Sequence, residues 1–146
     1  MEAAAPLHST LLCVNDIRER AVDARLLWEH DRRQGALLLA LVCVAVRAKL
    51  EHPEIDGDGA RFEAYLGGRL RLRFDVEFRG AREPIERVFY KWMRCTLVHD
   101  AGLPEDVQFV DSETPRELMV RAGGAPEYVL LISTAWFDQL LEWALN

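Results

Sequence analysis

The chain has 146 residues, a mass of 16.7 kDa and a net charge of −6 at neutral pH. This length makes one domain over 1–146, with its own core, the natural expectation, and the charge excludes a generally cationic nucleic-acid binder. Half of the residues are hydrophobic and 29% are charged, an ordinary globular balance.

Charge is unevenly spread. Between Arg61 and Arg94 nine Lys and Arg stand against five Asp and Glu, which leaves −10 for the remainder. A local basic surface on an acidic protein fits a bound polyanion, and an ordinary solvated surface fits the same count. Cys13, Cys43 and Cys95 are far apart and form no Cys-x-x-Cys pair, which points to a reduced, cytoplasmic setting. The start, Met1-Glu2-Ala3-Ala4-Ala5-Pro6, lacks the basic and apolar regions of a signal peptide. The apolar run from Ala36 to Val46 falls short of the roughly 18 residues needed to span a bilayer, so no membrane partner is expected.

In chain order, Leu12, Val14, Ile17, Ala21, Ala24 and Leu27 recur at helical spacing and predict an amphipathic helix over 9–29. A second helix is predicted over 31–51, with Asp31 as its N-cap and Pro53 beyond its end. Being apolar all round, it belongs at the centre of a bundle or in a subunit interface. Pro53 to Gly59 reads as a turn: its Asp-Gly-Asp-Gly piece is not followed by calcium ligands at the required positions. A short helix over 61–66 ends at Gly67-Gly68. Leu70, Leu72, Phe74, Val76 and Phe78 then alternate with charged residues as a half-buried strand.

Pro84 opens a helix carried by Ile85, Val88, Phe89, Trp92 and Thr96, and Gly102-Leu103-Pro104 stops it. Strands are predicted over 107–110, 118–121 and 128–132. A last helix follows, capped by Ser133 or Thr134 and apolar at Trp136, Leu140, Leu141 and Trp143. The expected class is mainly α (α+β): a helical core over about 9–104, then a small β element and a C-terminal helix over about 105–146.

The chemistry concentrates between Tyr90 and Asp100. A histidine exchanges protons near neutral pH, and an arginine grips a phosphate with a planar fork of donors. On an ideal helix Val88, Phe89, Trp92, Thr96 and His99 fall within about 60° of Ile85, the core-facing stripe. Arg87, Lys91 and Arg94 form a basic ridge on the other side. Arg94 and His99 are about 140° apart by this count, so they meet only if a second copy brings its own helix across a two-fold axis. The alternative is a histidine packed at a helix end, beside a solvated or paired arginine.

Other candidates carry less. His8, His30 and His52 have no ligand-spaced partners, and no tight Cys/His cluster offers a metal site. Ser9-Thr10 and Ser133-Thr134 lack a nucleophile elbow, and Gly67-Gly68 and Gly123-Gly124 lack a phosphate-loop pattern. The four tryptophans sit at helical apolar positions and are expected in core or dimer packing.

The run Val76-Glu77-Phe78-Arg79-Gly80, followed by Ile85-Glu86-Arg87-Val88-Phe89-Tyr90-Lys91-Trp92-Met93-Arg94-Cys95-Thr96-Leu97-Val98-His99, resembles the HEPN superfamily, the higher eukaryote and prokaryote nucleotide-binding domain. Its signature is an arginine followed a few residues on by a histidine, near a helix end in a helical bundle. Here it is matched by Arg94, four intervening residues and His99. The resemblance covers roughly Asp31 to Pro104. It implies a HEPN-like bundle, a homodimer whose two motifs share a cleft, and no metal or cofactor. It also implies an endoribonuclease of toxin–antitoxin or abortive-infection type, with RNA as substrate and an antitoxin protein as a potential partner.

In that reading His99 moves a proton to or from the 2′-hydroxyl or the leaving oxygen. Arg94 stabilises the charge on the phosphorane-like transition state. Arg87, Tyr90 and Lys91 hold RNA, and Cys95 or Asp100 orients the pair. One departure stands out: after the arginine, catalytic members commonly carry Asn, Asp or His, whereas this chain has Cys95, a poor hydrogen-bonding group. The alternative is a non-catalytic dimeric module that binds RNA, a nucleotide or a partner protein.

Overall fold

The computed structural model describes residues 7–70, 75–111, 118–122 and 126–146. The chain is mainly helical with a smaller β part, as expected. Helix α1 spans Leu7–Glu29 and α2 spans Arg33–Glu51. Between them Asp31 adopts φ 56°, a left-handed conformation that Asp tolerates better than most residues. The next N–H, of Arg32, donates to the Leu27 carbonyl at 2.8 Å. Asp31 therefore closes α1 and does not cap α2, whose N-cap is Arg32 with no side-chain bond.

Helix α2 is the centre of the bundle. Ala36, Leu37, Ala40, Leu41, Cys43, Val44, Ala45 and Ala48 are buried along it, and it packs against α1, α3 (Asp58–Arg69), α6 (Ala135–Leu145) and the helix that follows the β-hairpin. Helix α3 begins earlier than predicted and runs through Gly67 and Gly68. Leu66 and Leu70, four apart, are both buried. Burying them outweighs the roughly 1 kcal/mol that each helical glycine costs.

Strands β1 (Asp75–Phe78) and β2 (Ala81–Pro84) form an antiparallel hairpin. Val76 and Phe78 face in, and Asp75 and Glu77 face out. The turn residues Arg79 (φ 53°) and Gly80 (φ 76°) are both left-handed, as a tight two-residue hairpin demands. Residues 71–74 of the predicted strand lie outside the described residues, and β2 was not expected. Pro84 is both the last residue of β2 and the N-cap of α4 (Ile85–Arg87).

The helix after the hairpin is not a uniform α-helix. A π-helical segment, Val88–Arg94, separates α4 from α5 (Cys95–Asp100). It shifts the buried face by one residue. Ile85, Val88, Phe89, Met93 and Leu97 are buried, while Trp92 and Thr96 are only partly covered and His99 is exposed. The predicted core-facing place of His99 is thereby corrected. A π turn takes in an extra residue, so the stripe passes from Trp92 and Thr96 to Met93 and Leu97 and runs out before the helix end.

The last third forms a three-stranded sheet in the order β3 (Val107–Val110), β5 (Tyr128–Ser133), β4 (Leu118–Ala122). The β3–β5 pair is parallel and the β4–β5 pair antiparallel. Thr134 occupies the N-cap of α6, and the Ala135 N–H donates to the Ser133 hydroxyl at 3.2 Å. Trp136, Phe137, Leu140, Leu141 and Trp143 carry α6 into the core. Trp28 stacks on Phe137 with ring centroids 4.2 Å apart, and the Tyr65 hydroxyl donates to the Trp143 carbonyl at 2.6 Å. One buried cluster joins the helices to Val76, Phe78, Val107, Leu130 and Ile132. Among the described residues, no helix is long and apolar enough to cross a membrane.

Candidate functional site

The π segment sets the geometry of the motif residues. The Cys95 N–H donates to the carbonyl of Tyr90, five residues back, and within this wide turn Arg94 faces α3. Its Nη2 lies 3.0 Å from Asp58 Oδ2, and its guanidinium carbon sits 5.3 Å from the centroid of the Tyr90 ring. The Tyr90 hydroxyl donates to the same Asp58 oxygen at 3.3 Å. Arg94 Nε is buried and has no hydrogen-bond partner.

Two features of α3 build this cluster. Asp58 is its first residue, where a carboxylate complements the helix dipole. Gly59 follows, and the Tyr90 ring lies against it so closely that a Cβ there would come within 2.8 Å of Tyr90 Cε1. The phenol of Tyr90 is pushed above its ordinary pKa of 10.0, first by burial and then by the charges of Asp58 and Cys95. It therefore stays protonated and donates at neutral pH.

His99 is placed differently. It lies in the last turn of α5, exposed, and forms no hydrogen bond or ion pair with any described residue. Val98 beside it is 52% exposed. No hydrogen bond joins Arg94 to His99 within one chain. Asp100, the last residue of α5, is also exposed, and Cys95 is half-buried.

The predicted basic ridge is largely neutralised. Arg87 pairs with Glu63 at 3.2 Å and Glu83 at 3.5 Å, and Glu63 foremost holds its guanidinium above the ordinary pKa. Arg94 is matched by Asp58. Lys91 is exposed, with its ammonium 4.6 Å from the Trp92 ring centroid and no carboxylate partner among the described residues. Arg94 and Tyr90 thus share one neighbourhood with Asp58, while Arg87 bridges Glu63 of α3 and Glu83 of β2.

Sequence reasoning missed Asp58. Its place in a polar turn looked like a loop signal, and nothing local to it reveals an arginine partner so far along the chain. Away from this cluster, a concavity of about 560 Å³ lies between the hairpin and the sheet, lined by Phe78, Arg79, Asp106, Tyr128 and Leu130 among others. Arg79 closes one side of it with bonds of 2.7 and 2.9 Å to Asp106. Among the described residues, no group of three His, Cys, Asp or Glu is placed to hold a metal ion.

The arrangement offers an oriented cation and an exposed imidazole, unpartnered among the described residues, at opposite ends of one short helix. Comparison with protein-family models, with curated proteins and with solved structures finds no match.

Proposed function

We propose that the protein is a HEPN-like, metal-independent endoribonuclease that acts as a homodimer, of prokaryotic defence or toxin–antitoxin type. The observation that carries this reading is His99. It is exposed and has no partner among the described residues, although the stripe of an ideal helix would have packed it into the core. A packed histidine has a structural task, whereas an exposed and unengaged one is available to a substrate.

The reaction needs two groups. One His99 takes the proton of the 2′-hydroxyl as that oxygen attacks the adjacent phosphorus. The P–O5′ bond breaks, and a His99 supplies the proton to the departing oxygen. The products are a 2′,3′-cyclic phosphate and a 5′-hydroxyl, and no water is consumed. Arg94 stabilises the extra charge on the equatorial oxygens as the transition state forms. Because Arg94 and His99 do not converge within one chain, a partner copy meeting α5 across a two-fold axis would complete the site and cover Val98. On this reading Tyr90 and Lys91 hold the RNA, and free Cys13, Cys43 and Cys95 suit a reduced cytoplasm.

A second reading rests on a specific observation. Arg87 and Arg94 are both matched by carboxylates, and Cys95 follows the motif arginine. These count against catalysis and leave a dimeric module that binds RNA, a nucleotide or a protein partner, such as an antitoxin, through groups other than the two matched arginines, without cutting. Incubation with mixed single-stranded RNA in EDTA decides between the two. Cyclic-phosphate ends that vanish in His99→Ala support the nuclease, and a folded dimer that binds but leaves RNA intact supports the module.

A further inference from the structure

We infer that Asp58 is a positioning residue for Arg94, fixing its guanidinium for transition-state contact at the expense of ground-state affinity for phosphate. The inference rests on the ribonuclease reading above. Three contacts define the guanidinium's place: the Tyr90 ring 5.3 Å from its central carbon, the Asp58 oxygen 3.0 Å from Nη2, and the burial of an unpartnered Nε. The buried Nε gains nothing from its surroundings, so Asp58 and Tyr90 must hold the group. Nη1 has no hydrogen-bond partner among the described residues, and on the ribonuclease reading it is the donor left for a phosphate oxygen.

The Asp58-Gly59 pair works as a unit. Gly59 leaves bare backbone against which the Tyr90 ring lies, and the ring in turn directs its hydroxyl to Asp58 Oδ2. The Asp58 side chain is 45% exposed and that of Arg94 is 23% exposed. The carboxylate is thus the wetter partner.

Two opposing consequences follow from one contact. A guanidinium already matched by a carboxylate attracts a phosphate less than a free one does. A guanidinium held in place loses less freedom when the transition state forms, and its donors need no reorganisation. Removing the charge of Asp58 should therefore strengthen binding and slow the chemistry together. A residue that merely supports the fold would not move the two in opposite directions.

The test is Asp58→Asn, nearly isosteric, beside Asp58→Glu and with each combined with Arg94→Ala. Binding is measured with a single-stranded oligonucleotide carrying 2′-deoxyribose, which cannot cyclise, and turnover with the matching RNA. For Asp58→Asn the expected Kd falls about threefold to tenfold while kcat falls about tenfold. The salt dependence of binding should steepen by about 0.7 in log–log slope, one further phosphate contact. Asp58→Glu should keep the wild-type Kd, and in Arg94→Ala the substitution at Asp58 should change nothing. An unchanged or weaker affinity in Asp58→Asn, or an effect that persists without Arg94, overturns the inference. A wild type that binds RNA but never cleaves it removes the ribonuclease reading, yet the binding cycle still decides the Asp58–Arg94 coupling. A wild type that does not bind RNA removes both.

Discussion

The Cys95 N–H reaches back to the carbonyl of Tyr90, one residue further than an α-helix allows, and the π segment Val88–Arg94 that this bond closes changes what the motif helix presents. It turns Arg94 toward Asp58 and moves the apolar stripe onto Met93 and Leu97. It also leaves His99 in solvent. Wide turns of this kind occur mostly as isolated insertions in α-helices and often at functional sites.

The register can be read by mutation. Met93→Ala and Leu97→Ala, at 0% and 4% exposed residues, should each cost about 2–5 kcal/mol of stability. Thr96→Ala, one residue away and only partly covered, should stay within about 1 kcal/mol. Urea unfolding followed by circular dichroism measures all three. A large loss at Thr96 with little at Met93 would restore the uniform α-helix.

His99→Ala should alter stability by no more than about 0.5 kcal/mol, because the side chain is exposed and has no partner among the described residues. The same substitution should abolish RNA cleavage. A marked drop in melting temperature would mean that His99 is packed, for example in a dimer interface, and would return it to a structural role.

The hairpin turn offers a separate test. Arg79 is left-handed at φ 53° and clamps Asp106 with two hydrogen bonds, which hold its guanidinium above the ordinary pKa. Arg79→Ala loses the clamp and keeps the backbone strain. Arg79→Gly loses the clamp but relieves roughly 1 kcal/mol of that strain. The glycine variant should therefore be the more stable of the two by about that amount in denaturant titration, and the reverse order would show that the turn is unstrained.

Alkaline pH should expose the buried thiol. Burial raises Cys43 from 9.0 to about 11. The folded state therefore retains the proton that the unfolded chain gives up, and stability is full below pH 9 and falls as pH rises toward 11. The loss attributable to this group is at most about 3 kcal/mol. Tyr65 and Tyr90 are raised from 10.0 as well, and act with the same sign as pH rises above that value. The difference between wild type and Cys43→Ala across pH 8–11 isolates the thiol, and parallel curves would show that Cys43 contributes none of the slope.

Elements whose burial pattern is local were legible in the order of residues alone. The alternation at Val76 and Phe78 and the apolar run of α2 emerged where periodicity placed them, and the strand at Val107–Val110 where flanking turn residues bounded it. The occurrence of Arg94 and His99 in one short run was also visible, because type and spacing are written in the chain. Tertiary structure decided the rest. Gly67-Gly68 stays helical because Leu66 and Leu70 are buried on either side, and Asp31 closes α1 because it takes up a left-handed turn. The π turn moves His99 out of the core, and Asp58 meets Arg94 only because α3 folds back against the motif helix. A helical count assumes equal steps and sees only neighbours in sequence. A wide turn changes the step, and a contact across elements has no local periodicity to reveal it.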